Sequence, residues 1–336
     1  MTNLPRVPAD WEPQHAVWFA WPHNQATWPE RFAPIPDFFR RLLRTVSETL
    51  PVRVLGNPSL RSGADIESQR IIWVDAPTND CWIRDYGPLF VVGERPYGID
   101  WEFNAWGGKY PPWDRDNAAG LTVLSSAGWK RREGKLCVEG GALEWDGQGR
   151  LLTTDCLVTE SRNPGVSKEQ VADRLHEIAG ATEIVWVNGG GLRGDDTDGH
   201  IDQLARFIDP ENVVAAVADP EDENHAGLEA NFEILRRWGE QTSPRVRVHR
   251  LQIPPAREID GQRVPESYCN YLRLGSERLL VPTFGDRRSD DRAISVLREL
   301  AQASVPTIEV LGIDCSDLIW GLGALHCASL NEPARV

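Results

Sequence analysis

Residues that could do chemistry are concentrated in five short segments that lie between apolar runs. These segments cover residues 79–87, 139–141, 194–202, 268–270 and 320–327. Acidic side chains beside apolar strands cost free energy unless they are paired or used in a reaction. We therefore expect each of the five segments to meet a partner in the folded chain.

Nucleophilic catalysis by a cysteine is one chemistry that these segments allow. A thiol has an unperturbed pKa of about 8.5, so it needs a base, a group that orients the base, and stabilising charges. Cys327 ends a glycine-containing segment, where the backbone can approach a ligand closely. Considered one at a time, however, Cys327 is typical of a buried strand cysteine, His200 of a structural histidine, and Glu139 of a turn.

A metal site is a second interpretation of residues 194–202. The segment is rich in oxygen ligands and contains His200. It does not match the calcium-binding loop, because aligning Gly199 with that loop's glycine places Gly194 at the first ligand position and Ala205 at the last. The residues alone favour a cluster of Asx turns that shapes a strand connection, and we expect no metal.

The composition excludes several classes of protein. Among 336 residues, 36 Lys and Arg stand against 50 Asp and Glu, a formal charge of −14, so we expect no nucleic-acid partner. No apolar run approaches the roughly 20 residues of a membrane span, and residues 1–13 lack the apolar core of a secretory signal. Glycine motifs for nucleotide binding do not occur, so we expect no cofactor. These observations predict a cytoplasmic protein without a membrane partner, and they leave open whether it forms a homo-oligomer.

Strand-like apolar runs alternate with helical patterns along the chain. Helices are predicted at residues 37–50, 167–179, 224–238 and 288–303, the second with Ser167 as its N-cap. A strand, a Gly- or Asp-rich turn and a second strand recur at residues 71–92, 136–154, 183–208, 273–284 and 307–328. Five such units in an α/β chain predict a radial, propeller-like arrangement.

The combined segments resemble those of agmatine deiminases and their bacterial peptidylarginine deiminase relatives, in the guanidine-modifying pentein superfamily. The specific motifs are Asn-Asp-Cys-Trp-Ile-Arg-Asp-Tyr-Gly-Pro at 79–88, Gly-Asp-Asp-Thr-Asp-Gly-His at 194–200, Glu-Gly-Gly at 139–141 and a C-terminal His-Cys. The resemblance runs from Trp11 to Pro333. It implies a single catalytic domain over residues 1–336, folded as an α/β five-bladed propeller of ββαβ units with pseudo-fivefold symmetry and a site on the axis.

The resemblance also implies roles for individual residues. Cys327 matches the family's nucleophile, His200 its general acid and base, and Glu139 the carboxylate that orients the histidine. The implied activity is hydrolytic deimination of agmatine to N-carbamoylputrescine and ammonia, through a covalent thiouronium on Cys327. The expected partner is therefore a small cationic guanidine.

Two aspartates, Asp85 and Asp202, match the pair that binds the substrate guanidinium in the family. A guanidinium is a planar cation with donors in a fixed fork, which two carboxylates can bind. Trp82 would form a pocket wall, with a cation–π contact to the substrate. Asp196, in preference to Asp198, could bind a distal ammonium group, or both acids could only shape the turn.

The chain departs from the family pattern near the nucleophile. Leu322 and Ala324 replace a glycine and an asparagine, and residues 330–332 replace glutamine positions. These departures predict an altered pocket rim. Three alternatives to agmatine deimination therefore stay open: deimination of another guanidine such as arginine at a peptide terminus, transfer of the amidino group to an amine, and non-catalytic binding of a cation or a protein.

Overall fold

The computed structural model describes residues 5–66 and 68–335. Strands and helices alternate throughout these residues. The strands, in chain order, are β1 (Gln14–Ala20), β2 (Val52–Gly56), β3 (Ile71–Asp75), β4 (Leu89–Val91), β5 (Tyr97–Glu102), β6 (Lys130–Cys137), β7 (Glu144–Trp145), β8 (Arg150–Thr154), β9 (Glu183–Val187), β10 (Ala205–Asp209), β11 (Asn212–Val217), β12 (Arg247–Gln252), β13 (Glu258–Ile259), β14 (Gln262–Arg263), β15 (Leu272–Leu274), β16 (Arg278–Thr283), β17 (Glu309–Asp314) and β18 (Ser329–Pro333). The helices are α1 (Ile35–Ser47), α2 (Arg61–Ala64), α3 (Ile83–Tyr86), α4 (Ala105–Gly108), α5 (Asp114–Ala127), α6 (Lys168–Ala179), α7 (Ile201–Leu204), α8 (His225–Gln241) and α9 (Arg287–Ser304).

Five of the six sheets found in the described residues share one strand order. In each of the five, an antiparallel pair of strands is followed by a parallel pair, and a helix lies in the connection of the parallel pair. The five series are β4–β5–α5–β6, β7–β8–α6–β9, β10–β11–α8–β12, β15–β16–α9–β17, and β18–β1–α1–β2, which α2 and β3 extend. The fold is therefore mixed α/β with a recurring ββαβ order, and the pairing of β18 with β1 joins the two ends of the chain.

Two of the helices that cross over within a sheet, α1 and α6, are clearly amphipathic. The buried side chains of α1 recur three or four residues apart and are Ile35, Phe38, Phe39, Leu42, Leu43 and Val46. Helix α6 begins at a capping box of Ser167 and Gln170 and ends at Gly180, whose φ of 74° suits glycine. The four helices predicted from the sequence are confirmed, with boundaries that differ by at most three residues.

Helix α5 was not among the predicted helices. It is rich in small and polar residues, so its sequence lacks a strong apolar stripe. Gly120 lies in the middle of the helix because a Cβ atom there would lie 2.2 Å from Asp100 Oδ1. Helix α5 thus packs closely against its sheet at small residues such as Gly120, and it lacks a continuous stripe of large apolar side chains. None of the helices in the described residues has both the length and the apolar character needed to cross a membrane.

The strand–turn–strand units predicted from the sequence are not the structural repeat. In residues 71–92 and 183–208 the two strands belong to neighbouring sheets, and residues 307–328 contain one strand, β17. Residues 136–154 and 273–284 do contain an antiparallel strand–turn–strand pair, β7–β8 and β15–β16. For the other three stretches the prediction is wrong, because a parallel partner is brought back by a crossover helix that lies outside them.

Four of the five predicted stretches instead span the connection between one ββαβ series and the next. We call these connections the joining segments; they are residues 76–88, 138–143, 188–204, 253–271 and 315–328, and the fourth contains the two-stranded sheet β13–β14.

Candidate active site

The joining segments bring their buried polar side chains to one place. Each segment contributes at least one reactive or charged residue, or an amide, which in chain order are Asp85, Glu139, His200 with Asp202, Asn270, and Cys327. All of these side chains are buried. The expectation that each polar segment meets a partner is therefore confirmed.

Cys327 lies at the wall of a cavity, and its thiol has two close polar neighbours. Asn270 donates from Nδ2 to Sγ over 3.0 Å, and Sγ lies 3.6 Å from Asp202 Oδ2. Burial, followed by the negative charges of Asp202 and Asp85, raises the pKa of the Cys327 thiol well above its ordinary value. As long as no cationic ligand lies beside Asp202 and Asp85, the thiol is therefore protonated at neutral pH.

The cavity in front of Cys327 has a volume of 790 Å³, which is in the range of small-molecule sites. Four predicted site residues line it: Trp82, Asp85, Asp196 and Cys327. Its walls also carry rings and charges from Trp106, Tyr110, Trp320, Asp80, Asp116, Lys109 and Arg115. The remaining predicted site residues lie behind this wall, linked by contacts to Asp85 and Cys327, and are Glu139, His200 and Asp202.

His200 is fully buried between two carboxylates. Its Nδ1 lies 3.5 Å from Asp85 Oδ1, and its Nε2 lies 3.7 Å from Glu139 Oε2. Burial would lower the pKa of His200, but Asp85 and Glu139 outweigh it and raise the pKa to about 9. The imidazole therefore carries an extra proton at neutral pH. Gly141 leaves room for this contact, since a Cβ atom there would lie 2.7 Å from both Asp85 Oδ1 and His200 Nδ1.

Glu139 is held by a cation that the sequence patterns did not single out. Arg162 Nε donates to the two carboxylate oxygens over 2.8 and 3.0 Å. The other guanidinium nitrogens of Arg162 donate to Asp198 Oδ2 and to the carbonyl oxygen of Thr197, over 2.7 and 2.8 Å. Burial opposes ionisation of Glu139, yet the neighbouring His200 and Arg162 lower its pKa. Glu139 is thus an ionised carboxylate fixed beside the His200 ring.

The two aspartates predicted to bind a guanidinium have opposite pKa shifts. Asp85 accepts hydrogen bonds from Trp106 Nε1 and from the Gly141 backbone N–H, each over 2.9 Å, and burial raises its pKa to about 6. Asp202 Oδ2 lies 2.7 Å from His326 Nδ1; although burial acts in the opposite direction, His326 lowers the pKa of Asp202. Both aspartates are ionised at neutral pH. Asp202 Oδ1 is buried and has no hydrogen-bond partner in the described part of the chain, so it can accept from a ligand.

Trp82 forms part of the cavity wall and packs against a second indole. Its ring centroid lies 5.7 Å from that of Trp28. A Cβ atom at Gly321 would lie 2.9 Å from the Trp82 ring, and one at Gly323 would lie 2.6 Å from it. These two glycines therefore let the backbone of the last joining segment cover the indole.

The two acids that precede His200 have different surroundings. Asp196 lines the cavity, where the Tyr110 hydroxyl donates to its Oδ2 over 2.5 Å. Asp198 is bound by Arg162 and by Lys109 Nζ, over 2.7 and 2.8 Å. Asp198 is thus paired within the protein, and Asp196 is the acid of the two that lies on the cavity wall.

A comparison with protein families identifies the group to which this site belongs. The family model described as Porphyromonas-type peptidyl-arginine deiminase matches residues 6–333. The chain belongs to this family.

Individual members align over nearly their whole length. Agmatine deiminase of Stutzerimonas stutzeri (strain A1501) is 31% identical over 368 residues, which cover 99% of this chain and 98% of that protein. The structure of Enterococcus faecalis agmatine deiminase has a TM-score of 0.89 and 26% identity, covering 99% of this chain and 96% of the other. A cysteine-to-serine variant of C. jejuni agmatine deiminase, with substrate bound, has a TM-score of 0.88 and 27% identity, with 99% and 97% covered.

The positions at which this chain departs from the family pattern lie in two places. Leu322 lines the cavity and has left-handed backbone, with φ of 67°, a conformation that strains a side chain. Residues 330–332 lie in β18, where Glu332 accepts hydrogen bonds from the indoles of Trp18 and Trp129. The prediction that residues 330–332 alter the pocket rim is therefore wrong, because the pairing of β18 with β1 places them away from the cavity wall.

Four residues complete this family member's site without having been assigned a role from the sequence: Trp106, Arg162, Asn270 and His326. Asn270 and His326 lie in segments that the sequence singled out, but their types alone gave no role. Trp106 and Arg162 lie outside those segments, and no pattern in the sequence distinguishes them.

Proposed function

We propose that this protein is an agmatine deiminase, a hydrolase that converts agmatine and water to N-carbamoylputrescine and ammonia. The observation that carries the proposal is the convergence of four groups at one wall of the cavity: Cys327 and the ionised Asp85 line it, and His200 and the ionised Asp202 lie directly behind them. Relatives that align over nearly the whole chain bear the name agmatine deiminase. The product would supply a route to putrescine and hence to polyamines.

In the proposed complex the substrate guanidinium lies between Asp85 and Asp202. The unpaired Oδ1 of Asp202 supplies an acceptor for one edge of the fork. Trp82 offers a ring face to the cation. The partner is thus a small cationic guanidine, bound without a cofactor or a metal.

Binding of this cation would also prepare the nucleophile. Burial and the charges of Asp202 and Asp85 raise the pKa of the Cys327 thiol. A bound guanidinium places a positive charge against both aspartates, which lowers that pKa and favours the thiolate. The thiol would therefore ionise when substrate is present, and its proton would leave to solvent.

The chemical steps follow from the protonation state of His200. The Cys327 thiolate attacks the guanidinium carbon, and His200 donates its proton to the departing nitrogen, which leaves as ammonia. A thiouronium joined to Sγ remains. Neutral His200 then takes a proton from a water that attacks the same carbon. The C–S bond breaks, the hydroxyl proton of the resulting carbinol passes to the released ammonia, and the ureido product and the thiolate are formed. Glu139 holds the ring of His200 throughout.

We further propose that the five ββαβ series form five blades around a pseudo-fivefold axis, with the site on that axis. Their shared strand order supports this arrangement, as does the cavity, which residues of four joining segments line while Glu139 of the fifth lies behind its wall beside His200. We place the protein in the cytoplasm, as expected from its sequence.

Asp196 is our candidate for binding the distal ammonium group of agmatine. It lies on the wall of the same cavity, and Asp198 is paired elsewhere. We expect Asp196→Asn to reduce the preference for agmatine over arginine by roughly tenfold or more, since one charged contact contributes about 1.4–3 kcal/mol. A neutral-tailed alkylguanidine should be little affected. Equal losses with both guanidines would remove Asp196 from the substrate site.

Deimination of arginine at a peptide terminus is a second candidate function. Arg115 lies on the cavity wall, and an arginine there suits a carboxylate, which agmatine lacks. The test is ammonia release, as kcat/KM, from agmatine, arginine, a peptide ending in arginine and an alkylguanidine. We expect agmatine to exceed arginine by roughly ten- to several hundredfold. A peptide preference would overturn agmatine as the substrate, and no release from any guanidine would overturn deimination itself.

A further inference from the structure

The histidine before the candidate nucleophile lies between two carboxylates, and the steps above do not use it. His326 is 2% exposed; its Nδ1 lies 2.7 Å from Asp202 Oδ2, and its Nε2 lies 3.6 Å from Asp10 Oδ2. Its backbone N–H donates to Asn270 Oδ1 over 3.0 Å, and Asn270 in turn contacts Cys327 Sγ. The ring therefore lies between Asp10 of the N-terminal segment and a carboxylate of the proposed guanidinium site.

The chemistry of its neighbours decides which nitrogen of His326 carries the proton. Ionised Asp202 can only accept a hydrogen bond, so the nitrogen 2.7 Å from it must donate. Burial, followed by the charges of Arg206 and Arg84, lowers the pKa of His326, which leaves the ring one proton at neutral pH. That proton is on Nδ1 and points at Asp202.

The far side of the ring faces a buried ion network that does not need this proton. Arg206 is fully buried and donates to Asp10 Oδ2 over 2.8 Å and to Glu144 Oε2 over 2.7 Å. The oxygen of Asp10 nearest to His326 is thus already bound by a guanidinium. Its 3.6 Å separation from His326 Nε2 is too long for a hydrogen bond.

We propose that His326 is a positioning residue for the guanidinium site, an inference that rests on the proposed function. Its Nδ1–H donates to Asp202 Oδ2, which keeps Asp202 ionised and leaves the unpaired Oδ1 for the substrate. Without this donor, a buried carboxylate close to Asp85 and Cys327 would favour its protonated form. A protonated Asp202 would bind a cation weakly but a neutral ligand almost as before.

The test compares two amides that reach different nitrogens of the histidine. The side-chain nitrogen of asparagine can occupy about the position of Nδ1 in histidine, and that of glutamine about the position of Nε2. Because Nδ1 faces Asp202, only His326→Asn keeps a donor to that carboxylate. In the Cys327→Ser background, which blocks turnover, calorimetry would measure binding of agmatine and of N-carbamoylputrescine. We expect His326→Gln and His326→Ala to weaken agmatine binding by roughly 10- to 100-fold, and His326→Asn to stay within about threefold of the parent. The neutral ureido ligand should change by less than about threefold in all of them.

Two comparisons separate this proposal from a general loss of structure and from the proposed function. His249→Asn, in β12, replaces a half-buried histidine that hydrogen-bonds Asn212, and should leave both affinities unchanged. Equal losses for agmatine and the ureido ligand, or equal behaviour of the Asn and Gln variants, would overturn the role of His326. Ammonia release from agmatine by the wild-type protein is measured in parallel, so a protein that binds and deiminates agmatine while failing the variant test contradicts only the His326 proposal. Failure of the Cys327→Ser parent to bind agmatine would overturn both.

Discussion

The joining segments of this protein bury a cluster of charged side chains, whereas the crossover helices α1, α5, α6, α8 and α9 bury mostly apolar ones. Asp85, Glu139, His200 and Asp202 in the joining segments are each at most 3% exposed. The buried residues of α1, by contrast, are all apolar. Because buried charges cost free energy that only pairing or function offsets, the contrast indicates that the joining segments serve chemistry and the helices serve stability.

This division predicts that substitutions will act on either turnover or stability according to their region. The strongest expected case is Cys327→Ala, because the variant lacks the thiolate that forms the bond to the guanidinium carbon in the proposed mechanism. We expect ammonia release from agmatine to fall below detection while thermal unfolding stays close to that of the wild type. Cys156→Ala is the matched control, since Cys156 is a buried cysteine outside the joining segments, and it should retain turnover. Substantial ammonia release by Cys327→Ala would contradict the assignment.

Removal of one charge from the guanidinium site should have the next largest effect. We expect Asp85→Asn and Asp202→Asn each to cost about 3–5 kcal/mol of transition-state stabilisation, or roughly two to almost four orders of magnitude in kcat/KM. Asp290→Asn is the control, because Asp290 is a buried aspartate of helix α9 that accepts from the Tyr268 hydroxyl over 2.8 Å. It should lower stability and leave kcat/KM unchanged. If either site variant kept a near wild-type kcat/KM, that aspartate would no longer belong to the site.

A cavity in a crossover helix should show the reverse pattern. Leu42 is 2% exposed on the apolar face of α1, and Leu42→Ala should lower the free energy of unfolding by about 2–5 kcal/mol. The kcat/KM for agmatine should not change under conditions where the variant is folded. Urea denaturation and ammonia release, measured on the same sample, check the two parts. A large loss of turnover in the folded variant would show that the two regions are coupled.

The pH dependence of kcat/KM is the smallest expected effect and depends on the joining segments alone. Burial raises the pKa of Asp85 to about 6, so below that pH Asp85 takes up a proton and binds the guanidinium more weakly. The pKa of His200 is raised to about 9, so above that pH His200 has lost the proton that it donates to the departing nitrogen. Because binding of the guanidinium also expels the proton of Cys327, we expect log kcat/KM to rise by about two per pH unit below pH 6, by about one per pH unit between pH 6 and 9, and to level off above pH 9. Asp85→Asn should reduce the slope below pH 6 to about one, and an unchanged steep slope in that variant would assign it to another group.

The sequence predicted the helices better than it predicted the sheets. The apolar stripe of α1 and the capping box at Ser167 are local patterns, and local patterns can be recognised from one segment. The pairing of β18 with β1 is not local, because it depends on residues at opposite ends of the chain. For the same reason, the sequence does not distinguish strands that pair across a turn, such as β15 and β16, from consecutive strands of different sheets, such as β3 and β4.

The candidate site was predictable only as far as residue types carry chemistry. Cys327, His200 and the acids stand out because each is a reactive or charged residue in an apolar context. Arg162, which fixes Glu139, and Trp106, which binds Asp85, are residues of types found over the whole chain. Their importance arises from distances that only the folded structure provides.

Mass spectrometry of a quenched reaction would show directly whether Cys327 becomes covalently bound to the substrate. Agmatine would be mixed with the wild-type protein, the reaction stopped in acid during turnover, and the peptides compared with those of Cys327→Ala. We expect a thiouronium adduct on the peptide that contains Cys327, and no adduct in the variant. An adduct on another cysteine, or steady turnover without any adduct on Cys327, would contradict the proposed role of this residue as the nucleophile.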